Sequence, residues 1–153
     1  MAVDIASLKK VGLFESLLPE HLKLVAGIVK EQTFPPSTKV FGDGEAAARF
    51  YFIVQGKVRV SKQIPGVGEE ALAILEPGAY FGEMALIDDT PRSADALAHT
   101  SCTLRIIKRD QLDELMFTDK DLAYVLLWTF VRTLSERLRE TNDKIRAFFA
   151  LSS

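Results

Sequence analysis

Histidine and cysteine are almost missing from this chain, which has two His and one Cys in 153 residues. With Cys102 alone, no intrachain disulfide is possible. Two His and one Cys, with His21 remote from His99 and Cys102, make no recognised metal-ligand set. They also stand in no order that suggests a nucleophilic triad, so an enzyme is not expected. No apolar run is long enough to span a bilayer. Met1–Lys10 lacks the apolar stretch and small-residue cleavage site of a signal peptide. A cytoplasmic protein free of the membrane is therefore expected, with Cys102 as a small core residue in an apolar strand. An excess of one charge is missing too. The net charge of −2 gives no global attraction to nucleic acid. Internal repeats and low-complexity segments are absent.

Apolar residues, at 48% of the chain, are plentiful. That content and length predict one globular domain over residues 1–153, which buries about 68–70% of its unfolded surface. Residues 1–29 read as helical. Pro19 suits a first helical position, and Leu22, Val25, Ile28 and Val29 recur at helical spacing. Residues of about 30–107 read as β. Phe50–Val54 is a dense strand-forming run broken by Gly56, after which Val58 and Val60 alternate with polar residues. Pro65–Gly68 and Pro77-Gly78 mark turns around a strand near Ala71–Leu75, and Ser101–Ile107 is a last apolar strand. Short strands punctuated in this way predict an antiparallel β-barrel or jelly roll with helices at both ends, an α+β fold.

From Arg109 the pattern is helical again. Thr118 and Asp121 suggest a capping box for a helix over about 119–149. Along it Val131, Leu134, Leu138, Thr141, Ile145 and Phe148 fall at alternating steps of three and four, a heptad seam. A helix of about 30 residues spans roughly 45 Å. A barrel this small cannot cover its whole apolar stripe, and a second copy of the chain supplies the missing surface by two-fold symmetry.

One stretch interrupts the β pattern. Phe81-Gly82-Glu83-Met84-Ala85-Leu86 can form a single helical turn, and Pro91-Arg92-Ser93-Ala94 follows. Gly82 permits close backbone approach, and free N–H groups at a helix start favour an anion. Arg92 adds a permanent charge with a planar fork suited to phosphate, and Ser93 adds a hydroxyl. Glu83 would repel a phosphate but can accept a hydrogen bond from a ribose hydroxyl. Phosphate with ribose points to a nucleotide. The stretch is not a P-loop, since no Gly-Lys-Ser/Thr follows its glycines.

These residues resemble the cyclic nucleotide-binding domain family over nearly the whole chain. Leu13-Phe14 and Leu18-Pro19-Glu20 look like its opening helices. Phe41–Glu45 looks like the turn before its central strands, Tyr51–Val58 like its hairpin, and Phe81–Leu86 with Pro91–Ala94 like its phosphate-binding cassette. The resemblance implies that Glu83 holds the ribose 2′-hydroxyl and that Arg92 and Ser93 hold the cyclic phosphate. Gly82 and Ala85 would line the site through their backbone.

Arg137–Ile145 further resembles the dimer helix of bacterial catabolite activator-like proteins. This implies adenine contacts by Thr141 and, from a partner chain, by Asn142. The expected ligand is cAMP, with cGMP also open because a Ser stands beside the cassette Arg. No other cofactor is expected. Catabolite activator-like relatives carry a helix-turn-helix after this helix. The chain stops at Ser153, so specific DNA binding by that route is not expected, whether it is a stand-alone sensor or part of a longer protein. Asp95 is expected to point outward. The competing reading is an interaction and dimerisation module that binds another ligand or none.

Overall fold

A computed structural model describes residues 4–82 and 91–152. Among these residues eight strands form two antiparallel sheets of four. In chain order the strands are β1 (Lys30–Phe34), β2 (Lys39–Phe41), β3 (Arg49–Gln55), β4 (Val58–Ile64), β5 (Gly68–Leu75), β6 (Tyr80–Phe81), β7 (Asp95–Ala98) and β8 (Cys102–Lys108). One sheet runs β1-β8-β3-β6 and the other β2-β7-β4-β5, so sequence neighbours β2 and β3 lie in different sheets, as in a jelly roll. Helices α1 (Ile5–Lys9) and α2 (Pro19–Ala26), with a 3₁₀ turn at Gly12–Phe14, precede the sheets, and α3 (Arg109–Thr118) and α4 (Lys120–Ser152) follow them. This is the fold class expected from the sequence, in the form of two sheets.

β3 shows why the core divides in two. Its side chains alternate across the sheet. Phe50 and Phe52 face a helical layer of Leu13, Phe14, Leu22, Val25, Leu112, Leu122, Leu126 and Phe130. Tyr51 and Ile53 face the space between the sheets, with Val58, Phe81, Ala96, Leu104 and Ile106. Phe14 meets Phe50 and Phe52 edge-on, with ring centroids 6.3 and 6.4 Å away. Cys102 is buried in the inter-sheet core, as expected of it, and burial raises its thiol pKa.

The helix boundaries differ from the sequence reading in two places. Pro19 does open α2, but the helix ends at Ala26 with Gly27 as its cap, so Ile28 and Val29 lie beyond it. The start of α4 is capped by Asp119, whose Oδ1 accepts from Leu122 N at 3.0 Å. Thr118 instead donates its hydroxyl back to Glu114 O, because it still belongs to the last turn of α3. Asp119 also faces the buried His21, with Oδ2 3.7 Å from Nε2, which ties α2 to the α3–α4 junction.

α4 presents two apolar faces. Leu122, Leu126 and Phe130 are buried in the helical layer. Roughly 100° around the helix, Tyr124, Leu127, Val131, Leu138, Ile145 and Phe148 are exposed. The heptad spacing thus begins at Tyr124 and Leu127, earlier than the sequence pattern alone suggests. Every residue from 135 to 151 is exposed, so the second half of α4 projects from the body. No helix among the described residues is long and apolar enough to cross a membrane.

Gly56 turns β3 into β4 at φ +84°, and a Cβ there would collide with Ser101 O and lie 2.7 Å from Cys102 Cα. Both the backbone conformation and the close approach exclude a side chain. We predict that Gly56→Ala lowers unfolding free energy by on the order of 3 kcal/mol in urea denaturation. An unchanged midpoint would mean that the Ser101–Cys102 backbone yields without cost.

Candidate functional site

The site is built around Arg92, which lies just before β7 and is only 9% exposed. Its guanidinium donates through Nη2 to Arg49 O at 2.5 Å and, more weakly, through Nη1 to Gly82 O at 3.3 Å. Its central carbon sits 4.2 Å from the centroid of the Phe41 ring and 5.9 Å from that of Tyr51. The Nε donor is buried and has no hydrogen-bond partner among the described residues. Among the described residues no carboxylate forms an ion pair with Arg92. Burial lowers its pKa, while Tyr51 and Glu45 act in the opposite sense. A guanidinium remains charged nevertheless. Among the described residues the result is a buried cation with a ring over it and N–H donors left for an anion.

The backbone around Arg92 is held as firmly as its side chain. Arg92 N donates to Glu45 O at 2.8 Å, and Gly44 N donates to Arg92 O at 2.7 Å. The turn after β2 therefore clasps the segment that carries Arg92. Asp95 completes the clasp, and here the structure corrects the sequence reading. Asp95 does not point outward but is 7% exposed, and its Oδ1 accepts from Asp43 N at 2.7 Å. This part-buried main-chain N–H finds its acceptor in Asp95, with Lys39 Nζ 4.0 Å away.

Gly82 ends β6 at φ +77°, and a Cβ there would lie 2.7 Å from Arg92 Nη1. Gly82 and Arg92 are thus brought together as the motif implied. Ser93 is next to Arg92 in the chain and exposed. Glu83 and Ala85, and the helical turn expected around them, lie outside the described residues. Thr141 and Asn142 are exposed on the projecting half of α4. One turn earlier, Arg137 lies over the Tyr80 ring at 5.8 Å, so α4 passes beside β6, the strand that leads to Gly82. The Thr141 hydroxyl donates to Arg137 O at 2.9 Å.

Phe41, Arg49 and Asp95 escape the sequence reading as parts of this site. Arg49 contributes a carbonyl, which every residue possesses, so no sequence signal exists for it. Phe41 adjoins the recognisable Gly42–Glu45 turn, but nothing in that turn says which ring lies under a distant guanidinium.

Residues 31–119 match the model of the cyclic nucleotide-binding domain. The chain belongs to that family. It is 30% identical over 138 residues to a CRP-like cAMP-activated global transcriptional regulator of Mycobacterium tuberculosis, covering 90% of this chain and 60% of that protein. Its fold superposes on the N-terminal domain of a transcriptional regulator from Streptomyces coelicolor with a TM-score of 0.78 and 29% identity, over 93% of this chain and 95% of the other. The catabolite activator protein of Thermus thermophilus gives a TM-score of 0.76 at 29% identity, over 90% of this chain and 62% of that one. The chain spans about three fifths of the length of the curated relatives it matches. As a cyclic nucleotide-binding regulatory domain, it has relatives that are regulators rather than catalysts.

The clasp makes a stability prediction. Asp95→Ala should remove the acceptor of the part-buried Asp43 N–H and reduce unfolding free energy by about 0.5–1.5 kcal/mol, read by thermal or urea unfolding. No loss would mean that water reaches Asp43 N and that the Asp95 contact is dispensable.

Proposed function

We propose that the chain is a cAMP sensor that dimerises through α4 and changes the arrangement of that helix when the nucleotide binds. The observation that carries the ligand class is Arg92, a buried cation with an unpartnered Nε donor and no carboxylate partner among the described residues. Desolvating such a charge is costly unless an anion reaches it, and a cyclic phosphate is an anion of matching geometry. Gly82 and Ser93 flank it. In this reading Ser93 and the backbone of Gly82 and Ala85 join Arg92 on the phosphate, while Glu83 takes the ribose 2′-hydroxyl.

Thr141 supports adenine over guanine. Its single hydroxyl proton is engaged with Arg137 O, which leaves it as an acceptor. The adenine 6-amino group donates, whereas guanine presents a carbonyl at that position. Asn142, exposed one residue later, can reach a base held by the partner chain. The exposed stripe from Tyr124 to Phe148 supports the dimer, since it offers a heptad seam separate from the face that packs on the body. Because α4 both passes beside β6 and anchors in the helical layer, a nucleotide spanning pocket and helix would favour one α4 arrangement. It shifts the equilibrium only by its differential affinity for the two states.

Calorimetric titration with cAMP and then cGMP at matched salt tests the ligand. Binding with preference for cAMP is expected. No heat with either, together with no thermal shift, would favour the competing reading of an interaction module. Arg92→Ala should cost about 2–5 kcal/mol of cAMP binding, on the order of tens- to thousands-fold in Kd. Near-unchanged affinity would remove Arg92 from the phosphate site. For the dimer, Leu138→Glu should convert a two-fold species to monomer in sedimentation analysis, since a carboxylate in the seam is desolvated without a partner. A persistent dimer would place the interface elsewhere.

A further inference from the structure

We infer that Phe41 is a positioning residue for the anion site: its ring holds the Arg92 guanidinium flat with one edge turned to the ligand phosphate. The inference rests on the cyclic-nucleotide reading above and adds to it a residue outside the cassette.

A buried guanidinium can be steadied in two ways. A carboxylate steadies it by occupying the N–H edge and cancelling the charge, which places it in competition with an incoming phosphate. An aromatic ring steadies it through the weakly hydrated face, where the π cloud attracts the cation and no donor is consumed. Among the described residues Arg92 has the second arrangement. The Phe41 ring centroid is 4.2 Å from the central carbon of the guanidinium. The two side-chain N–H bonds formed there go to the main-chain carbonyls of Arg49 and Gly82, which carry no net charge. Among these residues the cation is therefore held in place without a carboxylate in an ion pair with it.

The ring is itself held. Phe41 lies 5.8 Å from Tyr51 and 6.0 Å from Phe81, and these two rings are stacked at 5.1 Å and 8°. Tyr51 and Phe81 sit on paired strands β3 and β6 in the inter-sheet core. Phe41 is also the last residue of β2, immediately before the turn whose Gly44 and Glu45 pair with the Arg92 main chain. A single segment, Phe41–Glu45, thus fixes the backbone of Arg92 from one side and its guanidinium face from another. A leucine would fill similar space at Phe41 and hold the backbone equally well. It would lack the π face.

The test is a double-mutant cycle on the full chain, using cAMP calorimetry, with Phe41→Leu, Phe41→Tyr, Arg92→Lys and the Phe41→Leu/Arg92→Lys pair. Phe41→Leu should weaken binding about 10-fold, and Phe41→Tyr should stay within about 2-fold of wild type. An ammonium has no flat face to stack, so in the Arg92→Lys background the cost of Phe41→Leu should fall to under about 3-fold. Wild-type affinity for Phe41→Leu, an equal loss for Phe41→Tyr, or the same cost in both backgrounds would overturn the inference. If thermal melts show Phe41→Leu to be unfolded, Phe41→Met takes its place in the cycle. If the wild type binds neither cAMP nor cGMP, the nucleotide reading fails and the cycle is read with inorganic phosphate, through the Arg92 Nε–H resonance in ¹⁵N spectra. A phosphate-induced shift in wild type that is lost in Phe41→Leu sustains the role of Phe41. The same shift in both overturns it, as does none in either.

Discussion

Taking a guanidinium out of water with no ion-paired carboxylate among the described residues is the constraint around which this domain is arranged. Arg92 cannot shed its proton at any pH the protein meets, so its surroundings must make the buried charge tolerable while leaving it available. Two main-chain carbonyls, an aromatic face and a clasped backbone do this together. Each contributor imposes its own local requirement. Gly82 must be glycine because a Cβ would enter the space of Nη1. Asp95 turns inward, where it accepts from the Asp43 N–H of the turn that clasps Arg92. The two sheets meet the remaining requirement by bringing β2, β3, β6 and β7, remote in sequence, to one end of the inter-sheet core.

α4 obeys a different constraint. A helix of 33 residues runs about 50 Å, and the body beneath it accepts only the first third. Leu122, Leu126 and Phe130 anchor that third among residues from both ends of the chain. The remainder projects with large apolar side chains in water, an arrangement that soluble proteins seldom leave uncovered. The Arg92 site and the helix come close at Tyr80 and Arg137, beside the strand that leads to Gly82. The proposed switch needs no long-range pathway, because the same helix that would carry the dimer seam passes beside the strand leading into the pocket.

Where local chemistry decides an outcome, the sequence is sufficient. Pro19 opens a helix, Gly56 breaks a hairpin, and the dense Phe50–Val54 run is the central strand β3. Gly82 and Arg92 can be paired from the sequence, because their residue types and spacing match a recognisable motif, and the structure brings them into contact. The heptad seam is legible for the same reason, although its beginning at Tyr124 and Leu127 is not. Those residues share the first turns of α4 with buried ones, and periodicity cannot separate two apolar faces of one helix. The helix cap falls one residue later than the pattern suggests, since Thr118 and Asp119 are both good caps and only the end of α3 selects between them.

What only the tertiary structure decided concerns contacts between residues far apart in the chain and contacts made through the main chain. Asp95 reads as an outward-facing charge because strand alternation says nothing about a main-chain N–H a third of the chain away. The Arg49 carbonyl has no sequence signature at all. The Phe41 ring owes its role to a fold that brings the end of β2 under the residue before β7. Composition and local pattern therefore determined the class of fold, the family resemblance and the residue types of an anion site. The packing of one sheet against the other decided how that site is held, because a buried charge is stabilised by whatever three-dimensional neighbours it has, and sequence order does not name them.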